Sequence, residues 1–158
     1  MKFKRGMIED VLVRDVRKFV DERGWLAEIF RHDELATPFH PVMAYVSMTL
    51  PDVVRGPHEH VDQADLFAFI GPSNFKLRLW DNRRESPTYG NEMTLFVGED
   101  NPKLVLVPKG VVHVYKNVGG KLGITINCPN RLYAGLGKRE PVDEIRHEDD
   151  PETPFRVD

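Results

Sequence analysis

The chain has 158 residues, 22 Lys and Arg against 25 Asp and Glu, a net charge of -3 with histidine neutral, and one cysteine. That length predicts a single domain with a core able to stand without a stapling metal or disulfide. The mixed, weakly negative charge offers no field for nucleic acid or an anionic membrane, so the expected partner is a small molecule. Cys128 alone excludes an internal disulfide, and the start from Met1 to Arg5 leads into no apolar run of signal-peptide or membrane-spanning length, so the expected compartment is the cytoplasm.

Glycine and proline recur at short intervals from Gly24 to Gly135, which leaves room mainly for strands. In chain order, Asp21 to Phe30 reads as a first hairpin, and His32 to Leu35 offers a turn or two of helix. Met43 to Met48 is apolar with one serine, and Leu66 to Ile70 is wholly apolar. Phe75 to Leu79 alternates with period two, while Leu104 to Val107 and Ile124 to Ile126 are β-branched or aliphatic. This pattern predicts an all-β barrel or two-sheet sandwich. Residues 136–158 are rich in charge and proline, the composition of a solvated tail, yet Val142, Ile145 and Phe155 predict that the segment folds back on the barrel.

Two short stretches carry imidazole into runs that otherwise read as buried strand. They are Arg55-Gly56-Pro57-His58-Glu59-His60, followed by Gln63 and Asp65, and Pro108-Lys109-Gly110-Val111-Val112-His113 with Asn117. His58 and His60, two apart on a strand, project from one face. With Asp65 and with His113 from a separate strand they make three imidazoles and a carboxylate, a donor set suited to zinc, iron, manganese or nickel. The arrangement resembles the two metal-binding motifs of the cupin superfamily, with Asp65 where glutamate is more usual.

A second resemblance spans nearly the whole chain. Asp21-Glu22-Arg23-Gly24-Trp25-Leu26-Ala27-Glu28-Ile29-Phe30, Arg55-Gly56-Pro57-His58, Ser86-Pro87-Thr88-Tyr89-Gly90 and Pro108 to His113 look like successive blocks of the dTDP-4-dehydrorhamnose 3,5-epimerase family. The resemblance implies a cupin-type double-stranded β-helix, or jelly-roll barrel, in a homodimer that usually works without a metal or other cofactor. It implies epimerisation of a nucleotide-linked 4-keto-6-deoxy sugar on the way to rhamnose and polysaccharide. In such a reaction a base removes the proton beside the C4 carbonyl, the enolate is stabilised, and an acid on the opposite ring face returns a proton. By position, His58 corresponds to the base, Tyr133 to the acid, and Asp150, with Asp149 as fallback, to a carboxylate that orients an imidazole, while His113 joins the catalytic group. Arg23, Trp25, Glu28 and Arg55, with His60 beside them, correspond to substrate-binding positions, where guanidinium suits pyrophosphate.

The match breaks at one place. His60 stands where the family has glutamine, and Asp65 lies in the region of a catalytic lysine that has no local counterpart. Losing such an enolate-stabilising donor costs on the order of 10²–10³ in rate. Either a divalent metal on His58, His60, Asp65 and His113 replaces the ammonium, with His58 as ligand, or His60 acts as an imidazolium held by Asp65 and leaves His58 free as base. The first alternative extends to a metal-dependent cupin isomerase or oxygenase. A noncatalytic sugar-nucleotide binding module is the third possibility.

Overall fold

The computed structural model describes residues 2–35 and 39–158; the turn expected at Pro38 lies outside them. The described chain forms β1 (Lys4–Arg5), β2 (Leu12–Asp15), β3 (Lys18–Asp21), β4 (Gly24–Ala27), β5 (Tyr45–Thr49), β6 (Val54–Glu59), β7 (Asp65–Phe69), β8 (Asn74–Asp81), β9 (Asn91–Gly98), β10 (Lys103–Val107), β11 (Val111–Asn117), β12 (Gly123–Asn127) and β13 (Ile145–Arg146). Single 3₁₀ turns occur at His32–Glu34, where a helical turn was expected, and at Leu136–Lys138. Among the described residues no helix is long and apolar enough to cross a membrane.

Two sheets face one another. One has six strands in the order β1-β9-β8-β11-β6-β13, the other five in the order β2-β10-β7-β12-β5, and β3 and β4 form a separate hairpin. This is the jelly-roll double-stranded β-helix that the sequence predicts. Period two in β8 sends Phe75, Leu77 and Leu79 into the space between the sheets, where they meet Phe67 and Phe69 of β7 and Val105 and Val107 of β10. The unbroken apolar run of β7 has a different cause: both of its faces are covered. Leu66, Ala68 and Ile70 turn the other way and pack with Val16, Phe39, Leu104 and Cys128.

The outer face of the six-stranded sheet carries Trp80, Val112 and Val114, and the C-terminal segment lies over it with Phe155 and Val157. Of the three apolar residues expected to fasten that segment, Phe155 alone is buried; Val142 and Ile145 remain 42% and 44% exposed. Polar contacts do the rest. β13 pairs with β6, and His147 Nε2 sits 2.9 Å from the buried Glu59 carboxylate, which also accepts a bond from Asn82 Nδ2.

Candidate active site

β6 and β11 are antiparallel neighbours in which His58 and His113 lie directly opposite, with ring centroids 4.3 Å apart. A register shift follows between His113 and Tyr115. Gly56 makes the local approach possible: its φ is +90°, and a Cβ there would stand 2.7 Å from the His113 carbonyl oxygen. His60 follows the end of β6, and its carbonyl accepts the Gly110 N–H at 2.9 Å, so the Pro108-Lys109-Gly110 turn ties the two histidine stretches together. Asp65, the first residue of β7, closes the group from the facing sheet.

The three imidazoles offer ring nitrogens all within 4.8 Å of one another. Asp65 Oδ2 is 3.0 Å from His60 Nε2 and 3.5 Å from His113 Nε2. Its Oδ1 accepts bonds from Gln63 Nε2 at 2.9 Å and Asn127 Nδ2 at 2.8 Å, which fixes the plane of the carboxylate. Burial, then the rings of His113 and His60, push the His58 pKa down to about 2. Burial lowers His113 as well. For His60 burial acts in the same direction, but the Asp65 carboxylate and the Asp143 carbonyl outweigh it and the pKa rises. Asp65, buried and drawn upward for that reason, is nevertheless held at about 2 by the hydrogen bond from His60 and the neighbouring imidazoles.

This cluster forms the floor of a cavity of about 720 Å³ whose wall includes Tyr45, Arg55, Tyr133, Lys138, Glu144 and Arg146. A volume of this order suits a small-molecule ligand. Of the residues singled out in the sequence, His58, His60, Arg55 and Tyr133 line the cavity, while Asp65 and His113 lie buried behind them. Arg55 is anchored through Thr49 Oγ1 and the Met48 carbonyl at 2.9 and 2.7 Å.

Four positions lie elsewhere. Arg23, Trp25 and Glu28 do not line this cavity: Arg23 is paired with Asp21 on the exposed hairpin, Trp25 lies under the Lys18 ammonium at 4.6 Å, and Glu28 faces Arg31 at 3.8 Å. Asp150 is also outside. It closes an exposed turn in which its carboxylate accepts the Glu152 N–H at 2.9 Å, and Asp149 is exposed beside it. The carboxylate near His58 is instead Glu144, with Oε1 3.9 Å from Nδ1.

Sequence reasoning missed Glu144 and, above all, Asp143. The Asp143 carboxylate accepts the N–H groups of Val61, Asp62 and Gln63 at 2.8, 2.9 and 2.8 Å, and its carbonyl faces His60 Nδ1. It sets the loop that carries His60 toward Asp65. The Ser86-Pro87-Thr88 block is structural: Ser86 Oγ and Thr88 Oγ1 each donate to the buried Asp81 carboxylate at 2.6 Å, and Arg83 Nε donates at 2.9 Å.

Comparison with known proteins shows where the chain belongs. A relative from Haloferax volcanii, named "Probable low-salt glycan biosynthesis epimerase Agl13", is 37% identical over 127 residues, covering 80% of this chain and 81% of its own. The "Spore coat polysaccharide biosynthesis protein SpsL" of Bacillus subtilis is 39% identical over 113 residues, covering 72% and 74%. The crystal structure of a dTDP sugar isomerase from Desulfovibrio desulfuricans G20 superposes with a TM-score of 0.79 at 24% identity, over 95% of this chain and 92% of that one, which shows a shared fold. The profile described as dTDP-4-dehydrorhamnose 3,5-epimerase matches residues 5–140, so the chain belongs to that family.

Proposed function

We propose that the protein epimerises a nucleotide-linked 4-keto-6-deoxy sugar by removing the proton beside the C4 carbonyl and returning one from the opposite face, with the product entering polysaccharide assembly. The observation that carries this reading is the cavity itself. It has imidazoles on its floor, Tyr133 on its wall, and the cations of Arg55, Lys138 and Arg146 in the same lining. The His58–Glu144 pair supplies the base and Tyr133 the acid, while the cations meet the diphosphate. The names of the Haloferax and Bacillus relatives, both in glycan or polysaccharide biosynthesis, support the route.

The same reading makes the protein a cytoplasmic homodimer. The β3–β4 hairpin leaves Phe19, Val20, Trp25 and Leu26 between 46% and 77% exposed, and the edge strand β5 exposes Val46 and Met48. Apolar surface of that kind on a hairpin outside the main sheets calls for cover. A second copy supplies it, and would bring Arg23 and Glu28 to the partner's cavity, the substrate-binding role that the family blocks imply.

Incubation with a dTDP-4-keto-6-deoxyhexose in deuterium oxide tests the function. Exchange at C3, C5 or both is expected, followed by mass spectrometry and proton NMR. A folded protein that binds the nucleotide sugar and exchanges neither position is a binding module and ends the epimerase reading.

A further inference from the structure

We propose that His58, His60, His113 and Asp65 bind one divalent first-row transition-metal ion. The argument begins at His113, which is 1% exposed. Its Nδ1 lies 3.1 Å from the Val111 carbonyl oxygen. A carbonyl only accepts, so the ring hydrogen is on Nδ1 and Nε2 presents a lone pair. That Nε2 is buried without a hydrogen-bond partner, and the polar atom it faces, Asp65 Oδ2 at 3.5 Å, is also an acceptor.

His60 repeats the pattern. Its Nδ1 faces the Asp143 carbonyl, so the neutral ring carries its hydrogen on Nδ1 and turns the Nε2 lone pair toward the same Asp65 oxygen, 3.0 Å away, with the Gln63 amide nitrogen 3.3 Å to the side; the charged ring donates to that oxygen instead. With both rings neutral, two imidazole lone pairs converge on one carboxylate oxygen in a buried site, an arrangement that is repulsive. Protonating His60 relieves one contact and leaves His113 Nε2 orphaned. Protonating both rings places two cations in the core with centroids 5.8 Å apart. One divalent ion satisfies both nitrogens and the oxygen together, and His58, whose ring nitrogen lies with those of His60 and His113 in one 4.8 Å group, supplies a third nitrogen.

The surroundings are those of ligands already oriented. Backbone carbonyls hold the Nδ1 hydrogens of two imidazoles, and Gln63 and Asn127 hold the Asp65 oxygen that points away from the group, which leaves Oδ2 free. Metal-binding histidines are commonly held in this way. Imidazole with a single carboxylate suits manganese, iron, cobalt, nickel or zinc better than calcium or magnesium. The ion's part in catalysis rests on the epimerase reading: it would polarise the C4 carbonyl where the family uses a lysine, and the base half of the His58–Glu144 pair would then be Glu144. Its binding does not depend on that reading.

The test uses untagged protein, dialysed against chelator, titrated with cobalt(II) and followed by the visible d–d absorption of the bound ion, with metal content after gel filtration measured by mass spectrometry. About one cobalt per chain is expected. His113→Ala should abolish stoichiometric uptake. Asn127→Ala, which touches only the carboxylate, should weaken it about 10–100-fold with the circular dichroism spectrum retained; if His113→Ala does not fold, His60→Gln takes its place. A folded wild-type protein with no d–d band and no retained metal overturns the proposal, as does uptake that none of these substitutions alters. Deuterium exchange on the same samples separates the two readings. Exchange by protein that takes up no cobalt leaves the epimerase reading standing and removes the metal site, and a stoichiometric cobalt complex that exchanges nothing does the reverse.

Discussion

Replacing Asp143 by alanine tests whether the C-terminal segment builds the site or merely covers it. The carboxylate accepts three backbone N–H groups, each at 2.8–2.9 Å. Hydrogen bonds to a charged acceptor contribute about 1.5–3 kcal/mol each when water cannot replace them. Val61 and Asp62 are exposed and their amides regain water, whereas the half-buried Gln63 amide regains it poorly. The net loss is therefore about 2 kcal/mol, well short of three full bonds, and corresponds to a fall of about 4–8 °C in Tm for a domain of this size. Urea unfolding followed by circular dichroism should show a lower midpoint at an unchanged slope. The three amides hold the Asp143 pKa below its ordinary value of 3.8 in spite of burial, so this contribution is complete above that value and fades as pH falls through it. Because the loop that these amides belong to carries His60, the substitution should also slow substrate exchange, and Asp143→Asn, which keeps one acceptor oxygen, should recover part of both losses. A midpoint within about 0.5 kcal/mol of wild type, with exchange unaltered, would refute the idea that this carboxylate positions the loop.

Three further outcomes follow from the geometry. Tyr133→Phe should leave solvent deuterium exchange measurable while slowing inversion by about 10²-fold or more, because the abstracting side is intact and the returning acid is gone. Asp81→Asn should cost about 3 kcal/mol in urea, since it uncouples a buried carboxylate from Arg83, Ser86 and Thr88. Those three partners overcome burial to hold Asp81 at about 2, so the wild-type contribution is present above pH 3.8 and is lost between there and about 2, a limb that the variant should lack. Val20→Glu with Leu26→Glu, on the exposed hairpin, should convert a dimer to monomer in light scattering while the barrel's far-ultraviolet spectrum is retained.

The sequence showed the floor of the site and, with Arg55 and Tyr133, part of its wall, but hid the part that the C-terminal segment supplies. His58, His60 and His113 were legible because imidazole two apart on a strand shares a face, and because a proline and a glycine fix the turn that delivers the third ring. The period of β8 was legible in the same way, and β7 read as a strand from its wholly apolar run, whose cause, cover on both faces, only the structure shows. Asp143 and Glu144 were not. They stand in a stretch whose charge and proline content match a solvated tail, and their roles depend on partners 80 or more residues earlier. β13, two residues long with Ile145 exposed, has no periodicity to detect. Asp150 illustrates the converse: its position corresponded to the family's carboxylate, but its own carboxylate is taken by its own turn.

The proposed metal site gives the exchange of a lysine for Asp65 a counterpart in charge. In the family chemistry a cation faces an enolate, and one positive charge balances the one negative charge that develops. Here the buried group is itself an anion, held ionised at about 2 by its neighbours, so the transition state would bring a second negative charge toward the first in a site that water scarcely reaches. A single imidazolium at His60 neutralises Asp65 and leaves the enolate unbalanced. The proposed divalent ion would neutralise both. On that proposal the substitution that looks like the loss of a catalytic group belongs with the two histidines whose Nε2 atoms face the same oxygen, and Asp65→Ala should be more damaging to exchange than removal of an obstructing charge would be. A gain of activity in that variant would show that the carboxylate is merely repulsive and that the enolate is stabilised from the cavity wall instead.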